Sequence, residues 1–317
     1  MNLKLVSAEE VARLLPYPEC IPLMRKAMIA LSTGRSRQLL RSIMSLEDDG
    51  KLFGVMPGAM LGEDATFGAK LVSVFPGNFD KGKMSHQGLV VLFDAEDGAP
   101  VAVIEAGELT AIRTAAASAA ATDALARADA TRLALLGYGE QAWRHFEAIS
   151  EVRPIAAVTV WGRSPERAEA FAARVRAGGL EAQAARDPAA AVAEADIVCA
   201  VSAAAEPILL DRDVRNGVHV NAVGSSHAGP CEIDPKLVAR GRFFADHKAG
   251  VLAQGAEYLR AREAGLADES DVLGEIGEVF AGTLAGRLSP ADVTIYKSLG
   301  SIVQDLAAAR HIVARLA

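Results

Sequence analysis

Thr131-Arg-Leu-Ala-Leu-Leu-Gly-Tyr-Gly-Glu-Gln-Ala142 decides the fold of this chain. Four apolar residues, Leu133 to Leu136, have the length and bulk of a buried strand. They run directly into Gly137-Tyr-Gly139-Glu140-Gln141-Ala142, the spacing of a phosphate-binding turn between a strand and a helix. Gly137 permits a tight turn, Gly139 lets the backbone approach a pyrophosphate, and small Ala142 lets helix and strand pack closely. A helix that begins at Glu140 and Gln141 points unpaired N–H groups and the positive end of its dipole at the phosphates.

Toward the C-terminus, apolar strands at Ala157–Trp161, Glu181–Ala184, Asp196–Val201 and Gly217–Val223 alternate with helices from Pro165 and near Pro188, and Arg242–Ala245 offers one more strand. Such alternation with short connections predicts an α/β fold with a doubly wound parallel sheet of Rossmann type. In that fold an acid at the end of the second strand binds the ribose 2′-OH. Here Trp161 is followed by Gly162-Arg163-Ser164. No carboxylate would repel a 2′-phosphate there, and a guanidinium pairs with one in a fork. NADP(H) is therefore the expected cofactor and NAD(H) the alternative, in which Arg163 is a solvated turn residue. Ligands lie beyond the carboxyl ends of the strands, so Ser202 and the run Val223-Gly224-Ser225-Ser226-His227 should face the cofactor.

Toward the N-terminus the pattern changes. Ser7 and Glu10 form a capping box ahead of a short helix ended by Pro16 and Pro18, and Ile21–Leu31 has helical spacing with Gly34 as its stop. Strand-like segments follow at Ser42–Leu46, Leu52–Met56, Thr66–Phe75 and Gly88–Asp94. They are punctuated by turn formers at Asp48-Asp-Gly50, Pro57-Gly58, Pro76-Gly-Asn78 and Asp97-Gly98, the last a hairpin signal. A separate sheet domain is expected, and Ile302–Leu316 closes the chain as a helix.

With 317 residues, 51% of them hydrophobic, the chain can bury a large core, and a net charge of −7 gives no basic footprint for nucleic acid or membrane. Cys20, Cys199 and Cys231 are few and far apart, without metal spacing, which suits a reducing, cytoplasmic setting. No apolar run follows a basic start, so no signal peptide is expected. The histidines are scattered without ligand spacing and no metal site is expected.

Arg41, Lys70 and Arg113 stand in or beside segments that look buried. Taken singly, each reads as an exposed charge; converging, they would need an anion such as a substrate carboxylate. Longer strings enlarge this picture: Lys70-Leu-Val-Ser-Val-Phe-Pro-Gly-Asn78, His86-Gln-Gly88, Leu109-Thr-Ala-Ile-Arg-Thr-Ala-Ala-Ala-Ser118, Ile295-Tyr-Lys-Ser-Leu-Gly300 and Asp305-Leu-Ala-Ala-Ala-Arg310. Through them the chain resembles the ornithine cyclodeaminase and mu-crystallin family over nearly its whole length.

The resemblance implies a homodimer whose substrate-binding and dimerisation domain, residues 1–117 plus 296–317, is α+β and carries an inserted Rossmann domain, residues 118–295. It implies that Arg41, Lys70 and Arg113 hold a substrate carboxylate and that Thr114 helps bind cofactor phosphate. Family members that deaminate ornithine or alanine carry an aspartate where this chain has Ser226; ketimine reductases resembling mu-crystallin carry serine. The expected activity is therefore NAD(P)H-dependent reduction of a small cyclic imine or ketimine with an α-carboxylate. Lys70 or a water held by Ser226 would give the proton, and His227, unless it is a plain surface histidine, would replace the missing acid. Amino-acid deamination with NAD is the alternative, and a non-catalytic nucleotide- or ligand-binding protein is the second.

Overall fold

The structure, a computed structural model, describes residues 3–46, 50–81 and 86–316, so Asp48 and Asp49 of the expected Asp48–Gly50 turn lie outside the described residues. Contacts divide the chain into two units, Met1–Thr114 with Ser301–Ala317, and Ala115–Gly300.

The first unit begins with β1 (Lys4–Val6), α1 (Ala8–Leu14) and α2 (Tyr17–Ser32). Ser7 and Glu10 make the expected capping box. Proline does not delay α2 to Ile21 as expected: Pro18 sits in its first turn, where a missing N–H costs nothing, and Pro22 continues inside it. Next come β2 (Ser36–Gln38), β3 (Ser42–Ser45), β4 (Leu52–Met60), β5 (Thr66–Val74), β6 (His86–Phe93), β7 (Pro100–Glu105) and the long helix α3 (Ala106–Leu125). The sheet order is β1-β7-β6-β5-β4-β2, with β3 also on β4. The Asp97-Gly98 hairpin joins antiparallel β6 and β7, Gly98 taking φ 74°.

Pro57-Gly58 is not a turn. Both residues lie inside β4, opposite Ala69 and Gly68 of β5. On its other side β4 is paired by β3 up to Val55 and by β2 from Gly58, so Pro57 falls in the gap between these neighbours, where a residue without an N–H is tolerated.

The second unit runs β8 (Arg132–Leu136), α4 (Glu140–Ser150), β9 (Ala157–Trp161), α5 (Pro165–Ala177), β10 (Glu181–Ala184), α6 (Pro188–Val192), β11 (Ile197–Ala200), β12 (His219–Ala222), α7 (Pro235–Arg240), β13 (Arg242–Ala245), α8 (Lys248–Gln254), α9 (Ala256–Glu263), β14 (Val272–Glu275), α10 (Ile276–Phe280) and β15 (Thr294–Lys297). All its strand pairs are parallel, in the order β10-β9-β8-β11-β12-β15-β13-β14. The order reverses between β8 and β11, which puts the crevice for a ligand beside the turn after β8. β15 pairs with both β12 and β13, so the second unit ends beyond it rather than at 295/296.

The chain then returns to the first unit as α11 (Ile302–Ala314), packed on α2 and across β4, β5 and β6. Ile302 through Ala309 are all buried, so this helix has no wet face over its first two turns. Gly58 makes the contact close: a Cβ there would lie 2.6 Å from Ile302.

Candidate active site

Asp305 stands in the buried stretch of α11 with 0% exposure. A carboxylate in that position is costly unless it is paired. Two cations supply the pairing: Lys70, from the middle of β5, brings Nζ to 3.4 Å from Oδ1, and Arg113, from α3, donates to the same oxygen through Nε at 2.9 Å. Arg113 also donates through Nη1 to Gln304 Oε1 at 2.8 Å, and Lys70 donates to Thr110 Oγ1 at 2.5 Å. Half-buried Arg41, between β2 and β3, acts electrostatically on Lys70. The structure thus gathers the three cations and adds a partner that was not singled out, Asp305.

Burial, followed by the repulsion of Arg113 and Arg41 and opposed by Asp305, pushes Lys70 down to about 8. Lys70 therefore carries its charge below about pH 8 and loses it as pH rises through that value. Between about 8 and the ordinary lysine value of 10.5 the unfolded chain binds more protons, so stability rises with pH.

In the second unit, Gly137 takes φ 129°, and a Cβ there would meet the Val201 carbonyl at 2.8 Å. Gly139 is the N-cap of α4 with no side-chain cap, and nothing lies within 4 Å of where its Cβ would be. Glu140 is exposed, Ala142 is fully buried, and Gln141 Oε1 is buried with no hydrogen-bond partner among the described residues. An open, uncapped helix start beside an unsatisfied buried oxygen suits a pyrophosphate and its attached ribose.

Gly162 has a second reason to be glycine: its Cβ would lie 2.1 Å from the ring of Tyr138. The Tyr138 hydroxyl accepts from Ser164 N at 3.3 Å, and the Ser164 hydroxyl caps α5 while donating to Glu166 at 2.8 Å. Arg163 is exposed.

Beyond β11 and β12, fully buried Glu232 acts as a clasp. One carboxylate oxygen accepts from Ser202 N at 2.6 Å and Ser202 Oγ at 2.7 Å, the other from Gly224 N at 2.7 Å. Burial raises its pKa to about 7 despite the Ser202 bonds. Lys297, itself fully buried, holds the same loop by donating to Ser225 O at 2.5 Å and pairing with Glu257 at 2.7 Å. Ser225 Oγ donates to Pro230 O at 2.5 Å, Val223 is buried, and Ser226 and His227 are half-buried. Thr114, on α3, is buried as well. Glu232, Lys297 and Glu257 were not expected as site residues, because each is an isolated charge in the sequence; the string Ile295–Gly300 includes Lys297 without assigning it a role.

The sequence model described as the ornithine cyclodeaminase/mu-crystallin family matches residues 2–317. The chain belongs to the ornithine cyclodeaminase/mu-crystallin family. It is 33% identical over 311 residues to the ketimine reductase mu-crystallin of Mus musculus, covering 97% of this chain and 95% of that protein. The structure of Thermococcus litoralis Delta(1)-pyrroline-2-carboxylate reductase in complex with NADH and L-proline superposes with a TM-score of 0.95 at 30% identity, covering 98% of this chain and 97% of that one. An archaeal alanine dehydrogenase dimer with bound NAD superposes with a TM-score of 0.92 at 27% identity, covering 99% and 96%. The family match spans both units.

Proposed function

We propose that the protein is an NAD(P)H-dependent reductase of a small cyclic imine or ketimine carrying an α-carboxylate. One observation carries this reading: Lys70 and Arg113 converge on one carboxylate oxygen of Asp305, and Arg41 acts electrostatically on Lys70, a set of basic groups suited to a substrate carboxylate. The mu-crystallin relative and the proline-bound pyrroline-2-carboxylate reductase support it by name and ligand.

When bound, the reduced nicotinamide supplies a hydride to the imine carbon. Arg113 and Arg41 hold the carboxylate, which places that carbon, and Lys70 gives a proton to the imine nitrogen. Ser226 would hold a water near the same atoms and His227 adds a titratable group. Thr114 and the turn Gly137, Gly139, Glu140, Gln141 and Ala142 take the cofactor phosphates, Gly162, Arg163 and Ser164 the adenosine ribose, and Ser202, Val223, Gly224 and Ser225 the segment beyond the strand ends. The carboxylate clamp is tested by comparing pyrroline-2-carboxylate with 2-methyl-1-pyrroline, which lacks the acid. The acid should be favoured at least about a hundredfold in kcat/KM, the worth of one or two charged hydrogen bonds; equal turnover would overturn the clamp.

NADP(H) is the cofactor we favour, since no acid stands at Gly162-Arg163-Ser164. Arg163→Ala should lower the ratio of kcat/KM for NADPH over NADH by about tenfold or more, as expected for one lost guanidinium–phosphate pair. An unchanged ratio would make Arg163 a solvated turn residue.

A homodimer also fits. The sheet face of the first unit turned away from α11 carries a depression of about 670 Å³ lined by Phe53, Leu71, Ser73, Gln87 and Leu89, and nearby Phe67 and Leu89 are exposed. By strand alternation it is the face opposite Lys70, so it belongs to assembly rather than to the chemistry. Three buried thiols outside any disulfide suit a reducing compartment such as the cytoplasm, and among the described residues no helix is long and apolar enough to cross a membrane.

A further inference from the structure

The environment of Lys70 is more specific than a charge cluster requires. Thr110 lies one turn before Arg113 on α3. Its hydroxyl donates to the Ala106 carbonyl at 2.5 Å, which uses its only hydrogen, so toward Lys70 Nζ, also at 2.5 Å, it can only accept. Asp305 Oδ1, at 3.4 Å, is likewise an acceptor and is fixed by Arg113. Of the three ammonium hydrogens, two therefore have protein acceptors among the described residues, on two different helices, and one is left for a ligand.

We propose that Thr110 and Asp305 are a pair of fixed acceptors that select which proton of Lys70 faces the substrate, and so are positioning residues for protonation of the imine nitrogen. The inference rests on the reductase reading above. In the step it serves, the Nζ–H bond toward the substrate breaks with its electron pair remaining on Nζ, and a new N–H bond forms on the product amine. The imine carbon takes the hydride, and the nicotinamide is oxidised. The two hydrogens left on the neutral amine still meet Thr110 and Asp305, so neither protonation state leaves an acceptor empty, and nothing needs to reorganise as the proton moves. Water then returns the proton to Nζ. The charged groups around Nζ are Asp305 from α11, Arg113 from α3 and Arg41 from the segment before β3.

Thr110→Val keeps the branched shape and removes the acceptor; Thr110→Ser restores it. With pyrroline-2-carboxylate and reduced cofactor, Thr110→Val should lower kcat about tenfold or more while KM changes less than about threefold. The alkaline limb of its pH profile should move to lower pH, because a hydrogen bond to the charged form is gone, and Thr110→Ser should recover both. The pH dependence of Lys70 acetylation by acetic anhydride, read by mass spectrometry, should show the same downward shift without relying on turnover. If the wild type reduces the imine and Thr110→Val does so with unchanged kcat and unchanged pH limb, or if Thr110→Ser fails to recover them, the acceptor pair is wrong and the reductase reading stands. If the wild type reduces no imine carboxylate, the reading and this inference fall together.

Discussion

Arg113→Ala is expected to lower kcat/KM for pyrroline-2-carboxylate by between about thirtyfold and several thousandfold, equivalent to roughly 2–5 kcal/mol of transition-state binding. The size follows from burial. Arg113 is only 4% exposed, and its Nε and one Nη1 hydrogen are already held by Asp305 and Gln304, so the remaining guanidinium face is fixed in direction before a ligand arrives. Removing it would lose the proposed charge-assisted bonds to the substrate and leaves Asp305 with Lys70 as its sole cationic partner among the described residues. Steady-state rates on the variant, with near-ultraviolet circular dichroism to show intact packing, check this. A loss of less than about tenfold with the fold intact would remove Arg113 from the clamp.

The second large effect falls on stability. Asp305→Ala should cost about 3–5 kcal/mol, since it strands two buried cations that share one carboxylate oxygen. The cost should shrink as pH rises toward about 8 and level off above it, because without Asp305 the Lys70 ammonium loses its proton at lower pH and Arg113 alone is left unpaired. Urea unfolding at neutral and alkaline pH measures both values. A cost under about 1 kcal/mol at neutral pH would mean that water or a rearranged neighbour already satisfies the cations.

Where local chemistry dictates local structure, the sequence was readable. Gly137 and the Asp97-Gly98 hairpin each need positive φ, and the strand-turn-helix context of Leu133–Ala142 leaves little else to choose. Pro57-Gly58 misled because turn propensity is a local signal, while the gap between β3 and β2 that accepts Pro57 is set by pairing with distant segments. Val272–Glu275 and Thr294–Lys297 were invisible as strands: four residues are too few to show a period, and both are recruited by neighbours already in the sheet. The site divides the same way. Glycines and basic residues carry chemistry in their type, so the turn and the three cations could be named. Asp305 could not, since what makes it matter is Lys70, 235 residues away. Gly162 was read for what it lacks, a carboxylate, whereas the structure shows what it admits, the ring of Tyr138.

The proposed reaction passes hydride from a reduced nicotinamide to the α-carbon of a carboxylate-bearing imine. The most direct measurement incubates the purified protein with pyrroline-2-carboxylate and NADPH or NADH deuterated at the transferable position, followed by mass spectrometry of the product. The expected product is proline labelled with deuterium at its α-carbon, formed faster with NADPH. Unlabelled or absent proline, with ornithine instead releasing ammonia in the presence of NAD, would contradict it and assign the site to deamination despite Ser226.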